Sequence, residues 1–478
     1  MIKILLDNDL RFRTEARYTF EAFFEIIGIT AAFIENQEQL HKGDILVYYG
    51  KSQVKADCGV LILPETDWLK CQSIAPSLKF ISGTPVIYWI DSSRKQPINF
   101  TRENTYCEAG FDIIAASFYF LSRREEIINK ERDCWGCFPA DFSIAYKWRI
   151  LHMPVINIYI EIIQKALADL SYALGSEFKI IQRWKDNRRF AAVLTHDVDN
   201  LRKYTFDNGI RKLIRGKEGF KNAFYDIGRS FLRDNTKDPY WSFDSFVALE
   251  RQIGASSTFY IISESKNRRY DPYYSLNAEL KRQLHDLSVS GWDIGLHGSY
   301  DSFNNKDVLK KEKDILEKAL GRQVFGTRQH YLRFSVEHTS QVQEQAGFKH
   351  DSTLGYNEDI GFRAGLAAPF FPYDSQNKKR SDILELPLAI MDGSLFNSRQ
   401  YSKEEAFKKS VELIDQVESV GGLVVILWHN KAGDAKEFPG WWETYARIVN
   451  HLYVKGAWIA NASELAEWWL DRVKRCAV

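Results

Sequence analysis

Four of the ten histidines in this 478-residue chain stand where an apolar run gives way to polar residues. They are His196 in FAAVLTHDVDN, His297 in GWDIGLHGSY, His330 in VFGTRQHYLRF and His429 in GGLVVILWHNK. The first run also carries two acids, Asp197 and Asp199. In an extended strand, residues two apart point the same way, so both carboxylates would face one site. One can hold a cation while the other takes a proton from water. Imidazoles and carboxylates converging from several segments are the donor types of a divalent-metal site or an acid–base site.

Such convergence needs a scaffold that brings strand ends together. From residue 189, strand-like runs end at THDVD (195–199), STFYIIS (257–263), DIGLHGS (293–299), VFGTRQHY (324–331), ILELPLAI (383–390) and VVILWHN (424–430). GAWIANASELAEWW supplies a last strand and helix. Helical stretches alternate with the runs: SFDSFVALERQIG, NAELKRQLHDLSVSG, KDVLKKEKDILEKALG and EEAFKKSVELIDQVESVGG. Several of them stop on glycine. This alternation predicts βα units and a parallel sheet, whose carboxyl ends carry the chemistry. About seven units close most economically as a (β/α) barrel. Residues 1–150 read as a small α/β domain, with short runs such as MIKILL, DILVYYG, GVLILP and PVIYWI and an amphipathic helix apolar at Phe20, Phe23, Phe24 and Ile27. FDIIAASFYFLSRREEIINK reads as one further helix. Residues 151–188 read as a helical connector, and 189–478 as the barrel.

The charge balance, 64 Lys+Arg against 63 Asp+Glu, gives no reason to expect a nucleic-acid or membrane-surface partner. Aromatic residues make up 14%, which suits sugar rings but also an ordinary core. The N-terminus lacks the pattern of a signal peptide, and no run approaches the ~18 apolar residues of a spanning helix. A soluble cytoplasmic protein is expected. Cys134 and Cys137 form a lone CWGC with no second Cys or His pair nearby and no thioredoxin-like strand before it, so a structural role is expected.

The C-terminal part resembles the NodB-like polysaccharide deacetylases, metal-dependent enzymes of carbohydrate esterase family 4 type that remove N- or O-acetyl groups from sugars. Five motifs carry the resemblance in order: Thr195-His196-Asp197-Val198-Asp199; His297-Gly298-Ser299-Tyr300; Arg328-Gln329-His330-Tyr331; Asp392 in LAIMDGSLF; and LWHN with His429. The first 150 residues are similar to an accessory domain found in a bacterial subgroup of that family, through FDIIAASFYFLSRREE and Asp133, Gly136 and Phe138 of RDCWGCF. The resemblance implies a distorted (β/α)7-type barrel and metal-assisted hydrolysis of an acetylated carbohydrate. It makes Asp199 and His297 metal ligands, Asp197 the general base and His429 the general acid. Arg328 would pair with Asp197, Asp392 would orient His429, and the backbone N–H of Tyr331 would help hold the oxyanion.

The second motif departs from the family. Its usual second histidine, four positions after the first, is Asp301 here. The third ligand is therefore Asp301 or His330, with His330 the first choice. Zn²⁺ is the first expectation for the cation, and Mn²⁺ or Co²⁺ would suit a carboxylate-rich site. Trp428 could pack against the acetyl methyl or belong to the core. His196 receives no role. Asp271 in YDPYY (270–274) and Arg363 in GFRAG (361–365) are candidate sugar-binding residues. Two other readings stay open: a glycoside hydrolase on a related barrel, which needs two carboxylates flanking the scissile bond, and a non-catalytic polysaccharide-assembly protein with a degenerate metal site.

Overall fold

The structure is a computed structural model. It describes all residues except 52–53, 55–57, 66–73, 90–95, 102–104, 206–226, 231–234, 266, 268, 272–273 and 477–478. Cys71, and Pro272 and Tyr273 of the expected substrate loop, lie outside the described residues.

The N-terminal part is built on a six-stranded sheet. Its strands are β1 (Ile2–Leu6), β2 (Ala31–Ile34), β3 (Ile45–Gly50), β4 (Gly59–Pro64), β7 (Ile98–Thr101) and β8 (Tyr106–Ala109), in the order β2-β1-β3-β4-β8-β7. All neighbours are parallel except β7 and β8. The PVIYWI run does not join this sheet. It supplies β6 (Thr84–Tyr88), which pairs antiparallel with β5 (Ser77–Ile81). The reason is local: Ser82 and Gly83 both take positive φ, 50° and 80°, as a two-residue hairpin turn requires. The expected single helix after Phe111 is two. Asp112 caps the first, Ile113–Leu121, and Arg123 at φ 50° breaks the chain before Arg124–Ile128. The Arg123 guanidinium is held by Glu125 and Glu126, which fixes that break. The helix Val155–Ala173 packs against the same sheet.

The second sheet is entirely parallel. It contains β9 (Ala191–Val198), β10 (Thr258–Ile261), β11 (Asp293–Gly298), β12 (Gly326–Gln329), β13 (His350–Asp351), β16 (Leu384–Glu385), β17 (Leu388–Met391), β18 (Leu423–Leu427) and β19 (Trp458–Ala460). Tyr373–Asp374 and Lys379–Arg380, β14 and β15, form a separate hairpin. The sheet runs β16-β13-β12-β11-β10-β9-β18-β17. Its two ends are consecutive pieces of the single run ILELPLAI, interrupted at Pro387, which has no N–H to give a ladder. One stretch therefore serves both edges, and the sheet curls into a distorted barrel of seven strands. β19 pairs with the lower half of β9, beneath β10.

Strand alternation sorts β9 into two layers. Ala191 and Val193 join an apolar cluster with Leu386, Leu427 and Trp458, while Ala192, Leu194 and Val198 join one under the outer helices. The first cluster runs on without a break to Ile4 and Leu61 of the first sheet and to Phe20 of the helix Arg13–Ile27. Among the described residues, no helix is long and apolar enough to cross a membrane.

Candidate functional site

The seven polar residues of interest sit at or just past the carboxyl ends of their strands. Asp197 follows the inward parity of β9, and Asp199 lies one residue beyond its end. His297 is the penultimate residue of β11, Arg328 lies on β12, and His330 opens the turn after it. Asp392 and His429 follow β17 and β18. His196 takes the opposite parity. It is fully buried, with Nδ1 2.8 Å from the Trp428 carbonyl and Nε2 2.8 Å from Glu250.

Three side chains aim donor atoms at one point. Asp199 Oδ1 lies 3.4 Å from His297 Nε2 and 3.6 Å from His330 Nε2. Each imidazole is oriented through its other nitrogen. His297 Nδ1 is 2.9 Å from the Arg328 carbonyl, and His330 Nδ1 is 2.6 Å from Asp271 Oδ1. With Nδ1 engaged, each ring turns a lone pair on Nε2 inward, as metal-ligating histidines do. Asp199 Oδ1 and His297 Nε2 are buried atoms with no hydrogen-bond partner among the described residues. Two buried orphaned acceptors side by side are costly unless something cationic sits between them. One carboxylate and two imidazoles fit a divalent cation with positions left open, and the nitrogen share suits Zn²⁺.

Two pairs flank this point. On one side, Arg328 donates to Asp197 Oδ1 at 3.0 Å, and Asp197 Oδ2 is 3.5 Å from His297 Nε2. Arg328 is fully buried and also bonds the Thr195 hydroxyl and Ser352. On the other side, His429 Nδ1 is 2.6 Å from Asp392 Oδ1, and the backbone N–H of His429 donates to Oδ2 at 2.8 Å. His429 Nε2 points to Asp199 Oδ2 at 3.6 Å. Burial alone would raise the Asp199 carboxyl, but His429, His297 and His330 hold it well below the usual range. Burial opposes charge on His429 as well, yet Asp392 and then Asp199 raise its pKa. Asp197, Asp199, His297, His330 and His429 line a cleft of about 430 Å³, together with Tyr270, Tyr331, Asn357, Leu427 and Lys431.

Four expected residues fall elsewhere or act otherwise. Asp301 is exposed, bonds Asn267 at 3.0 Å and stays out of the donor cluster, so of the two residues offered for the third position the structure brings in His330. Arg363 does not line a sugar loop. It is buried in a bidentate pair with Glu126, because the chain around it is clamped to the N-terminal part. Trp428 takes the outer parity of its strand and packs on Tyr445, 5.5 Å between ring centres, while Leu427 faces the cleft. Asp271 is buried and holds His330 in place. It also accepts from the backbone N–H of Tyr300 at 2.9 Å, so its carboxylate is engaged within the protein. Asp271→Asn is expected to weaken Zn²⁺ affinity about 10–100-fold while the fold persists. Competition with a chromophoric chelator measures this, and an unchanged affinity would remove Asp271 from the centre.

The sequence offered no signal for Asp271 as a partner of His330, since the two meet only in space. It also gave no hint that Trp135 of CWGC would stack on Tyr331, 4.4 Å between centres and 13° between planes.

Structural comparison returns the polysaccharide deacetylases, the family the five motifs resemble. A Mycobacterium smegmatis protein assigned as a polysaccharide deacetylase aligns at 17% identity and TM-score 0.41, over 60% of this chain and 93% of its own. One from Pseudomonas aeruginosa PAO1, assigned the same way, aligns at 15% identity and TM-score 0.42, over 61% and 94%. A CE4 family pseudoenzyme from Bacillus anthracis, BA3943, aligns at 11% identity and TM-score 0.31, over 61% and 73%. Residues 5–172 match a family of unknown function, DUF7033. No curated protein matches the chain.

Proposed function

We propose that this chain is a metal-dependent deacetylase that hydrolyses N- or O-acetyl groups on a carbohydrate. The observation that carries the proposal is the meeting of Asp199 Oδ1, His297 Nε2 and His330 Nε2, two of them buried without partners, between an Asp–Arg pair and an Asp–His pair. A divalent cation held by those three atoms, Zn²⁺ first, would supply Lewis-acid polarisation of a carbonyl and a more acidic water.

The chain's own residues supply the proton transfers. Asp197 receives the proton of the attacking water, and the buried Arg328 pairs with that carboxylate and aims it. The backbone N–H of Tyr331, at the cleft wall, stabilises the developing oxyanion. His429, whose pKa the Asp392 carboxylate raises against the effect of burial, gives its proton to the departing nitrogen or oxygen. The geometry gives less support to a glycoside hydrolase. Asp197 and Asp199 both lie beside the same His297 nitrogen, at 3.5 and 3.4 Å, and Asp199 belongs to the three-donor cluster, so it is not a free second carboxylate for a glycosidic bond.

The test is acetate release from acetylated chito-oligosaccharides and peptidoglycan fragments. Release should stop on chelation and return with Zn²⁺. No release from any acetylated sugar, or release indifferent to chelator, rejects the proposal.

A further inference from the structure

Tyr331 and Leu332 both take left-handed backbone conformations, φ 58° and 53°. Two successive non-glycine residues of this kind persist only where their surroundings over-determine them. Tyr331 directly follows His330, whose imidazole Asp271 fixes separately, so what holds this turn sets the backbone N–H of Tyr331 and not the third donor.

Part of what holds it comes from the N-terminal part of the chain. Trp135 lies flat on the Tyr331 ring and edge-on to Tyr270, 5.9 Å between centres. The Cys137 thiol donates to the Tyr331 carbonyl at 3.3 Å, beside Asn357 Nδ2 at 3.0 Å. The short loop is itself fixed. Asp133 Oδ1 accepts the backbone N–H groups of Trp135 and Cys137 at 2.9 and 2.8 Å. From the other side, the Tyr331 hydroxyl donates to the Tyr270 carbonyl at 3.0 Å.

We infer that Trp135 and Cys137 are positioning residues: the loop 133–137 braces the Tyr331 turn and thereby aligns its backbone N–H with the reaction centre. The inference rests on the deacetylase proposal for what Tyr331 does, but the bracing itself is measurable without it. Neither residue touches the donor cluster, so their loss should misplace a group and leave the cation bound. A misplaced group of this kind costs rate more than substrate affinity.

The experiment compares full-length Trp135→Ala and Trp135→Phe with the parent chain. It reads Zn²⁺ content, hydrogen–deuterium exchange of the peptide 328–335, and kcat and KM for acetate release. Trp135→Ala should keep its Zn²⁺, exchange faster in 328–335, and lose about tenfold in kcat with KM nearly unchanged. Trp135→Phe should restore both. Parent-like exchange in 328–335 for Trp135→Ala, or a raised KM with kcat intact, overturns the inference. A parent chain that releases no acetate sinks the deacetylase proposal alone, and the exchange comparison still decides the bracing. Should Trp135→Ala fail to fold, Cys137→Ala against Cys137→Ser poses the same question at the carbonyl. A loosened peptide in the first, tightened in the second, supports the inference, and equal exchange in both overturns it.

Discussion

Asp199→Ala is expected to abolish stoichiometric Zn²⁺ binding and to lower acetate release by at least about 10³-fold. Asp199 is the only carboxylate in the three-donor cluster, so its loss leaves two imidazoles and no anionic ligand. Cation-assisted charge stabilisation is worth several kcal/mol, and each 1.36 kcal/mol is tenfold in rate, which sets the size of the loss. The fold should survive. Asp199 lies past the end of β9, so no ladder bond depends on it. Metal analysis, far-UV circular dichroism and acetate release together make the check. A variant that keeps one Zn²⁺ per chain, or that keeps its rate after metal removal, would refute the assignment of this residue.

The barrel was legible because buried parallel strands read as short apolar runs, and the residues that end them are polar for a reason. Strand parity alone separated Asp197 from His196: the first turned inward to Arg328, the second outward to Glu250. What stayed hidden depends on distance along the chain. Nothing in YDPYY says that Asp271 will meet His330, 59 residues on. The choice between Asp301 and His330 needed the turn after β12, whose left-handed Tyr331 no propensity announces. Arg363 looked like a polar residue in a glycine loop because its partner, Glu126, is 237 residues away. Pro387 is a different case. A proline inside an apolar run foretells a broken ladder, but only the pairing of both halves shows that the break is where the barrel closes.

The clamp around Arg363 yields the other large effect, on stability. Glu126 accepts from Arg363 at 2.8 and 2.6 Å and from Arg123 at 2.8 Å, and all three side chains are buried. Arg123 also pairs with Glu125 and donates to the Arg363 carbonyl. Two cations and two anions thus balance, joining the short helix after Arg123 to the barrel. Glu126→Ala would leave Arg363 buried with the Gly355 carbonyl as its one remaining acceptor among the described residues. Breaking a buried pair in this way costs about 3–5 kcal/mol, a large share of the roughly 5–15 kcal/mol that a folded domain has. The pH dependence has a definite sign. Burial would raise the Glu126 carboxyl, but Arg363 and Arg123 bring it down to about 2. A depressed carboxylate contributes stability above its unfolded pKa, about 4.3, and loses it as pH falls from there toward the folded value. The gap between parent and Glu126→Ala should therefore be widest near neutral pH and narrow steadily from about pH 4 downward. Denaturant unfolding at pH 7 and pH 3 measures both terms. A gap under about 1 kcal/mol at neutral pH, or one of equal size at both, would mean that the clamp is not what joins these two parts of the chain.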